Sequence, residues 1–467
     1  MLLSTPLPFV EDFINELDKG LKIYQPEMGL SRIQRGWLGF CLMGIILTNS
    51  VCWARFERAS LGKYKLGALS WMFRKAKLPW EIMLQVGVAI VLRQHGIREG
   101  VLATDDSDHK RSKKTPRLHK THKIKDKSSG GYINGQNIVL LMLIPAKVSL
   151  PVGFELYQPD PAQQAWKKED KHLQKKGVAK KERPKAPPYN PKHPSKPQLA
   201  LRLMEQFRHH HSQIKIKAVV ADALYGQAKF MDAAAALFGG VQVISQLRHN
   251  QNIRFRNRKQ SLTHYFSNHQ GGDQVLSIRG QPPITATVGS IRVEVCSHAK
   301  KRFVIALKYP GEQDYRYLVA TDLSWRTVDI IQAYTLRWLV EVFIEDWKSY
   351  EGWAQLAKQT GEEGTSRGLT LSLLLDLLLL LHPRQLARVK NKLPAYTVGS
   401  LQRTIQMEAL LLYVEQLLQA PNPAERLTQL SLSVQEFFLL RPSAKHMSGR
   451  DLGRLEPTPS LKHRAVA

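Results

Sequence analysis

The 467-residue chain is poor in cysteine and in acidic side chains. Its three cysteines, Cys41, Cys52 and Cys296, are too few and too scattered for a disulfide framework or a zinc cluster, so we expect a reducing compartment. Asp and Glu number 39 against 68 Lys and Arg, which gives a formal charge of +29. A globular chain this basic is expected to bind a polyanion, with DNA or RNA as the first candidates.

The chain also lacks an uninterrupted apolar run long enough to cross a membrane. Residues 37–54 are interrupted by polar residues at 48–50, and residues 369–381 form a short run that contains Asp376. Both stretches are therefore predicted to be buried helices, and no membrane is expected among the partners. The first 20 residues carry acids where a signal peptide would carry bases, so no export signal is predicted.

Hydrophobic periodicity predicts an α/β protein with helical ends. Residues 1–98 are helical and basic in pattern, which is typical of a small DNA-binding bundle. Strands and helices alternate over residues 99–383, and the pattern changes to alternating strands at about 249–316, which indicates a β-rich insertion. Residues 384–467 are predicted to be helical, with a basic, Pro/Ser/His-rich tail that is expected to be disordered.

Two predicted strands run into acidic side chains. The apolar stretch at 101–104 is followed by Asp105 and Asp106, and the stretch at 215–221 is followed by Asp222. A helix and another strand come after Asp222, which is the signature of a parallel strand pair. Two further buried strands, at 137–146 and 149–158, complete a predicted meander in which the first strand ends in carboxylates.

Two lysine-rich stretches lie beside these strands, at 108–127 and 167–196. Both are predicted to be flexible loops, and a nearby phosphate backbone would need such charge. The three histidines within residues 208–213 have no metal-ligand partners at useful spacing, so they are predicted to be solvated at a helix end.

Residues 330–352 are predicted to form one amphipathic helix. At about 100° per residue, Tyr334, Arg337 and Lys348 fall within about 40° of Glu341. The bulky apolar residues lie on the opposite side, as expected for a helix that packs on a core. A surface helix with a solvated charged face would show the same pattern. The acids elsewhere in the chain therefore decide whether this face belongs to a functional site.

Asp105, Asp222 and Glu341 stand out as a set of carboxylates placed on a strand, a strand and a helix. No zinc ligand set, nucleophilic Ser or Cys site or phosphate-binding glycine loop competes with them in the sequence. Carboxylate oxygens bind hard cations, so Mg²⁺ or Mn²⁺ is the expected metal. Two such ions could activate a nucleophile and stabilise the leaving oxygen at a phosphodiester.

The spacing Tyr-x2-Arg-x3-Glu-x6-Lys, matched by Tyr334, Arg337, Glu341 and Lys348, resembles the signature of DDE transposases of the insertion-sequence-four group. These are bacterial cut-and-paste enzymes. The sequence TDDSD at 104–108 looks like their first catalytic motif. The sequence VVADALYG looks like their second.

The resemblance covers roughly residues 99–383 and implies a ribonuclease-H-like catalytic core with a β-rich insertion at about 249–316, flanked by helical N- and C-terminal regions. It implies a triad that binds two Mg²⁺ or Mn²⁺ ions, formed by Asp105, Asp222 and Glu341. It also implies that transposon-end DNA is contacted by Tyr334, Arg337 and Lys348. A homodimer that holds two DNA ends in the bacterial cytoplasm, at the nucleoid, is expected on the same ground.

Some alternatives remain open in the sequence. Asp106 competes with Asp105 for the first catalytic position, and Glu345 is a rival to Glu341 that breaks the spacing. Some relatives hold a flipped base with a Trp in the insertion. The insertion here has no Trp, so Tyr265 or Phe266 would have to replace it.

The leading hypothesis is a DNA transposase that binds terminal inverted repeats, cuts the element ends and joins the 3′-hydroxyl strands to target DNA. A structure-specific nuclease on the same fold is the second hypothesis. A non-catalytic DNA-binding protein derived from a transposase is the third. A basic RNA-binding protein is the fourth, although the chain lacks the aromatic sheet motif of the common RNA-binding modules.

Overall fold

A computed structural model describes residues 6–111, 118–126, 130–278, 282–356, 359–389 and 396–438. The tail that was predicted to be disordered falls almost entirely after residue 438 and lies outside these ranges. Part of the first lysine-rich stretch, residues 112–117, lies outside them as well.

The described residues before the first strand form helices, as predicted for the N-terminal region. These helices are α1 (Pro8–Tyr24), α2 (Arg32–Thr48), α3 (Trp53–Ala59), α4 (Leu66–Lys75) and α5 (Trp80–Gln94). The hydroxyl of Ser31 accepts a hydrogen bond from the Gln34 N–H at 3.2 Å, so the start of α2 is capped as the sequence indicates. The assignment of this region to DNA binding stays a prediction.

The predicted buried stretch at 37–54 lies inside the protein, where α2 is apolar on nearly all sides. Across the described part of the chain, no single helix has the length and hydropathy to cross a membrane. Taken together, α2 and α3 are long and apolar enough to do so by length and composition alone, but the two helices are bent by 87° relative to each other.

The middle of the chain alternates strands and helices. Its elements in chain order are β1 (Glu99–Lys110), β2 (His122–Lys125), β3 (Tyr132–Ile144), β4 (Leu150–Tyr157), α6 (Pro161–Lys175), α7 (Lys196–His210), β5 (Lys215–Ala221), α8 (Ala228–Leu237) and β6 (Gln242–Leu247). β1 pairs antiparallel with β3 and parallel with β5, and β5 pairs parallel with β6. The predicted meander and the predicted parallel pair are both present.

The predicted insertion continues the same sheet. Its elements are β7 (Asn252–Phe255), β8 (Arg258–Ser261), α9 (Leu262–Asn268), β9 (Gly272–Leu276), β10 (Ile284–Val295) and β11 (Lys300–Lys308), and β12 (Arg316–Ala320) follows. Among the described residues, the sheet has 12 strands in the order β2-β3-β1-β5-β6-β12-β11-β10-β7-β8, with β4 beside β3 and β9 beside β10. The protein is therefore a mixed α/β structure, as the sequence predicts.

The remaining described helices are α10 (Thr327–Thr335), α11 (Trp338–Ser349), α12 (Gly361–Leu380), α13 (Pro383–Val389), α14 (Val398–Leu418) and α15 (Pro423–Phe437). α12 contains most of the second apolar stretch and packs against α5 of the N-terminal region. Gly87 makes this approach possible, because a Cβ at that position would lie 2.9 Å from Leu377 Cδ1. The N-terminal helices thus share a core with α12.

Two loop predictions are wrong in part. Residues 167–175 belong to α6. Asp160 caps the start of this helix, and Pro161 is its first residue. The chain then folds back on this helix, where Arg183 Nη1 lies 2.9 Å from Asp170 Oδ1. In the first lysine-rich stretch, residues 122–125 form β2 because they pair with β3.

The histidines at 208–213 do not all face solvent. His211 is buried, and its Nε2 lies 3.0 Å from Gln85 Oε1. Burial and the neighbouring His210 lower the pKa of His211 to about 4. The prediction of solvated histidines is therefore wrong for His211, which joins α7 to α5.

Candidate active site

Asp105 and Asp222 are brought together by the parallel pairing of β1 and β5. The last paired residues of the two strands are Thr104 and Ala221, and each is followed directly by its aspartate. β1 does not end there, since it continues to Lys110 against β3. The prediction of a strand that ends in carboxylates is therefore wrong for β1, because its antiparallel partner carries it past the point where β5 stops.

The turn after β5 explains the sequence around Asp222. Asp222 Oδ1 accepts a hydrogen bond from the Leu224 N–H at 2.8 Å, and the Asp222 carbonyl accepts one from the Ser245 hydroxyl at 2.6 Å. Tyr225 fills the core beneath the turn. At Gly226 a Cβ would lie 2.3 Å from Gln246 O, so a larger residue would push the turn away from β6. The carboxyl of Asp222 is thus fixed at the sheet edge.

Asp105 and Asp106 point to opposite faces of β1, as neighbours on a strand must. Asp105 Oδ2 lies 2.8 Å from Arg337 Nη1, whereas Asp106 Oδ2 lies 2.6 Å from Lys196 Nζ. Asp105 therefore faces the helices that carry the predicted signature, and Asp106 faces the start of α7. Sequence alternation alone left the choice between them open.

The electrostatics of the three aspartates show that they lie close to one another. Burial, with smaller contributions from the Asp222 and Asp106 carboxylates, raises the pKa of Asp105 to about 6, although the Asp106 N–H and Arg337 oppose the rise. Burial also raises the pKa of Asp222, and Asp106 adds to the effect. The pKa values of Asp105 and Asp222 are thus raised first by burial and then by the like charges beside them.

The signature residues lie on two helices rather than one. α10 ends at Thr335 and α11 begins at Trp338, so the prediction of a single helix over 330–352 is wrong. At the break, the Leu336 N–H bonds to Ala333 O at 3.2 Å and the Arg337 N–H bonds to Tyr334 O at 3.0 Å. These tighter bonds replace the regular helical pattern. No Pro or Gly marks the break, so periodicity could not detect it.

Arg337 joins the first and third predicted acids. Its Nη1 donates to Asp105, and its Nη2 lies 2.5 Å from Glu341 Oε1 within α11. Arg337 is mostly buried, while Glu341 is half-buried and opens toward solvent. One guanidinium therefore lies between two carboxylates that come from distant parts of the sequence.

The other two signature residues flank this group. Burial raises the pKa of Tyr334 to about 12, so its phenol keeps its proton at neutral pH. Arg337 lies near it, with the guanidinium carbon 6.0 Å from the ring centroid. Lys348 lies further along α11, near His109 of β1, where burial, Arg111 and Lys348 together lower the histidine pKa to about 3. Glu345 is an exposed residue of α11.

The donor set suits a hard divalent cation. The acids Asp105, Asp106, Asp222 and Glu341 meet two cationic side chains, Arg337 and Lys196. These four acids outnumber the two cations, and oxygen ligands favour Mg²⁺ or Mn²⁺. Within the described ranges, no three Asp, Glu, His or Cys side chains are already gathered as a metal site. Arg337 separates Asp105 from Glu341.

Lys196 is a site residue that the sequence analysis missed. It was counted as the last lysine of a flexible stretch, but it is the first residue of α7 and is mostly buried. Its Nζ also lies 5.3 Å from the ring centroid of Tyr157. A signal was present, because Ser195 and Gln198 have capping-box spacing and the Ser195 N–H bonds to Gln198 Oε1.

The aromatic residues considered for holding a flipped base are unsuited to it. Tyr265 and Phe266 are both buried, and the Tyr265 ring stacks on His269 with centroids 4.3 Å apart. An exposed aromatic lies elsewhere, at Trp338 next to Arg337. A cavity of about 190 Å³ opens there and is lined in part by Tyr334, Arg337 and Trp338.

A comparison with protein families matches residues 63–298 to the family described as DDE superfamily endonuclease. The matched region covers about half of the chain. It contains Asp105 and Asp222 and ends before Glu341. A search of curated proteins finds no match to this chain.

Proposed function

The chain belongs to the DDE superfamily endonucleases, and on this premise we propose that it is a DNA transposase of the insertion-sequence-four group. The family indicates a transposase-like nuclease that acts on DNA with divalent metal ions. The finer proposal is that the protein binds terminal inverted repeats, cuts the element ends and transfers their 3′-hydroxyl strands to target DNA. The Tyr-Arg-Glu-Lys spacing supports this narrower group.

The observation that carries the proposal is that three segments of the chain meet where the pairing of β1 with β5 ends. Asp105 and Asp222 follow the last paired residues of β1 and β5, and Arg337 binds Asp105 and Glu341 together. The strand order β4-β3-β1-β5-β6, with the first three antiparallel and the last three parallel, supports a ribonuclease-H-like core. In that reading the three acids hold the metal.

Two Mg²⁺ or Mn²⁺ ions bound by these acids would activate the attacking hydroxyl and stabilise the leaving oxygen of the phosphodiester. For Asp105 and Glu341 to reach the same cations, the Arg337 guanidinium must leave the space between them. A phosphate beside the scissile bond offers Arg337 a new partner with two acceptor oxygens. DNA binding therefore favours metal binding, because a phosphate draws Arg337 away from the two carboxylates that the metal needs.

The other signature residues are proposed to hold the DNA backbone. Tyr334 keeps its phenolic proton and can donate it to a phosphate oxygen. Lys348 lies further along α11, where it can pair with a neighbouring phosphate. Trp338 is exposed beside Arg337 and can pack against a sugar or base at the adjoining cavity.

We further propose a homodimer formed through the C-terminal helices. α14 and α15 expose a series of apolar side chains, including Met407, Leu411, Leu418, Leu427 and Leu432. Such a surface favours contact with another protein surface over permanent exposure to water. A second copy of the chain is the partner that synapsis of two DNA ends requires.

The test uses a DNA fragment that carries the coding region with its native flanks. With Mg²⁺, we expect cuts at two flanking positions, free 3′-hydroxyl ends and their joining to a second DNA, all abolished by EDTA. Cuts without joining would favour the structure-specific nuclease. DNA binding without any metal-dependent cut would favour a non-catalytic protein derived from a transposase.

A further inference from the structure

The short helix α4 presents a basic face that the site at β1 and β5 does not use. α4 has ten residues, Leu66–Lys75, and follows a reversal in which Leu61 and Gly62 have φ angles of 49° and 74°. Residues 63–77 contain five Lys or Arg and no Asp or Glu. This is a dense positive segment within the N-terminal helical region.

The inner face of α4 is fixed in an aromatic core. Leu69 and Phe73 are buried, and the Phe73 ring lies 5.0 Å from the Trp53 ring and 5.7 Å from the Trp80 ring, between centroids. This packing decides which side of the helix faces outward. The outer side is therefore presented by a rigid support.

The outer face combines small, aromatic and basic residues. Gly67, Trp71, Arg74 and Lys75 are exposed and fall within about 100° of one another by helical geometry. Trp71 is 57% exposed, which is unusual for so large an apolar side chain. At Gly67, no atom lies within 4 Å of the position a Cβ would take, so the surface is open there.

The end of α4 is hydrogen-bonded to α12, the helix that contacts α11 of the candidate active site. Arg367 of α12 donates to Phe73 O at 3.1 Å and to Arg74 O at 3.0 Å. α12 in turn holds α11, since Trp347 Nε1 donates to Ser372 Oγ at 2.7 Å. A ligand on α4 would therefore be held in a fixed position relative to Glu341.

We infer that α4 enters the major groove of duplex DNA and reads base edges with Trp71 and Arg74, while Lys75 contacts phosphate. The inference rests on the proposed function, because it names the surface that selects the DNA. A major groove of about 12 Å accepts one α-helix. Arg can bind guanine through two hydrogen bonds, and an apolar ring can contact the methyl group of thymine.

An anionic membrane surface also attracts basic helices with an exposed Trp. Helices that lie in a membrane surface insert a broad apolar face. The apolar face of α4 is already occupied by the aromatic core. Its outer face offers one bulky ring beside Gly67 and the basic residues. The observations therefore favour DNA over lipid.

The experiment starts with full-length protein and a duplex library that has a randomised centre. The wild type is expected to enrich a defined sequence, and binding is then titrated with the selected duplex and with a scrambled duplex. Trp71→Ala and Arg74→Ala should weaken binding to the selected duplex by about tenfold, with little effect on the scrambled one. Each should also change the preferred base at neighbouring positions when selection is repeated.

Two charge variants act as controls. Lys75→Ala should weaken both duplexes alike and lower the slope of log affinity against log salt by about one. Lys19→Ala removes an exposed lysine of α1, which pairs with Glu16 at 2.8 Å, and should keep both the affinity and the selected sequence. Thermal melts of all four variants check that each one folds.

Separate outcomes overturn the inference and the proposed function. If Trp71→Ala and Arg74→Ala select the wild-type sequence with unchanged affinity, α4 does not read DNA, although transposase activity on native flanks can still be observed. If Trp71→Ala loses binding to phosphatidylserine vesicles while DNA binding is unchanged, the surface serves lipid. If the wild type binds no duplex at all, both proposals fail.

Discussion

Arg337 Nη1 lies 2.8 Å from Asp105 Oδ2, an ion pair between residues separated by 232 positions in the chain. The same guanidinium contacts Glu341, so it occupies the space that the proposed cations need. We expect Arg337 to neutralise the two carboxylates in the absence of metal. When metal and DNA bind, its guanidinium should move to a phosphate.

Arg337→Ala should raise the affinity for Mn²⁺ and abolish DNA cleavage. The variant removes a positive charge that competes with the metal for Asp105 and Glu341, and we expect Mn²⁺ to bind about tenfold more tightly. Cleavage should fall by two or more orders of magnitude because the phosphate contact is lost. Titration of the wild type and the variant with Mn²⁺, followed by electron paramagnetic resonance, measures the affinity.

Lys348→Ala is the matched control for that prediction, because Lys348 is a cation of α11 that lies near His109. It should leave Mn²⁺ affinity near the wild-type value and reduce cleavage. Weaker Mn²⁺ binding by Arg337→Ala than by the wild type would show that the arginine supports the metal site. That result would contradict the expected competition between Arg337 and the metal.

Lys196→Ala should impair cleavage more than DNA binding. Lys196 Nζ lies 2.6 Å from Asp106 Oδ2, and its charge opposes the rise in the pKa of Asp222 that burial causes. Its loss adds to the repulsion among the acids at the sheet edge. A kinetic assay that separates the apparent DNA dissociation constant from the single-turnover cleavage rate should show a fall mainly in the rate.

Lys192→Ala offers the comparison for Lys196, since Lys192 is an exposed residue of the same lysine-rich stretch. We expect it to weaken DNA binding slightly and to keep the cleavage rate. If the two variants behave alike, Lys196 contributes only general positive charge.

Asp376→Asn should stabilise the protein at alkaline pH. Burial raises the pKa of Asp376 to about 7, and burial together with Asp376 raises the pKa of Glu351 well above its ordinary value. The folded state therefore holds protons that the unfolded chain releases near pH 4, and stability falls as pH rises through about 7. The asparagine cannot ionise, so this loss, on the order of a few kcal/mol, should shrink.

Urea unfolding at about pH 6 and about pH 9 measures the effect, with Glu345→Gln as the control because Glu345 is an exposed acid of α11. Asp376→Asn should lose less stability between the two pH values than the wild type and the control do. Equal losses in all three proteins would mean that the buried pair carries no excess proton.

Much of the fold followed from local pattern. The strands around Asp105 and Asp222, the capped start of α2 at Ser31 and the buried apolar helices were predictable, because alternation and capping act over a few residues. The approach of Asp105 to Asp222 was predictable in outline, since each follows an apolar stretch of a predicted strand, although β1 continues past Asp105.

The remaining features depend on tertiary contacts that no local pattern encodes. The break at Leu336 and Arg337 contains no Pro or Gly, and it is seen only in the hydrogen bonds between α10 and α11. Lys196 meets Asp106 across 90 positions of sequence, and Tyr265 is buried through packing within the insertion. The guanidinium between Asp105 and Glu341 likewise required the folded chain.

The most direct test of the account compares Mg²⁺-dependent cleavage by the wild type, Asp222→Asn and the exposed-loop control Asp314→Asn on DNA that carries the native flanks. We predict that Asp222→Asn binds this DNA as the wild type does and cuts it at less than about a hundredth of the wild-type rate, while Asp314→Asn cuts normally. Wild-type cleavage by Asp222→Asn would contradict the assignment of the metal-binding acids.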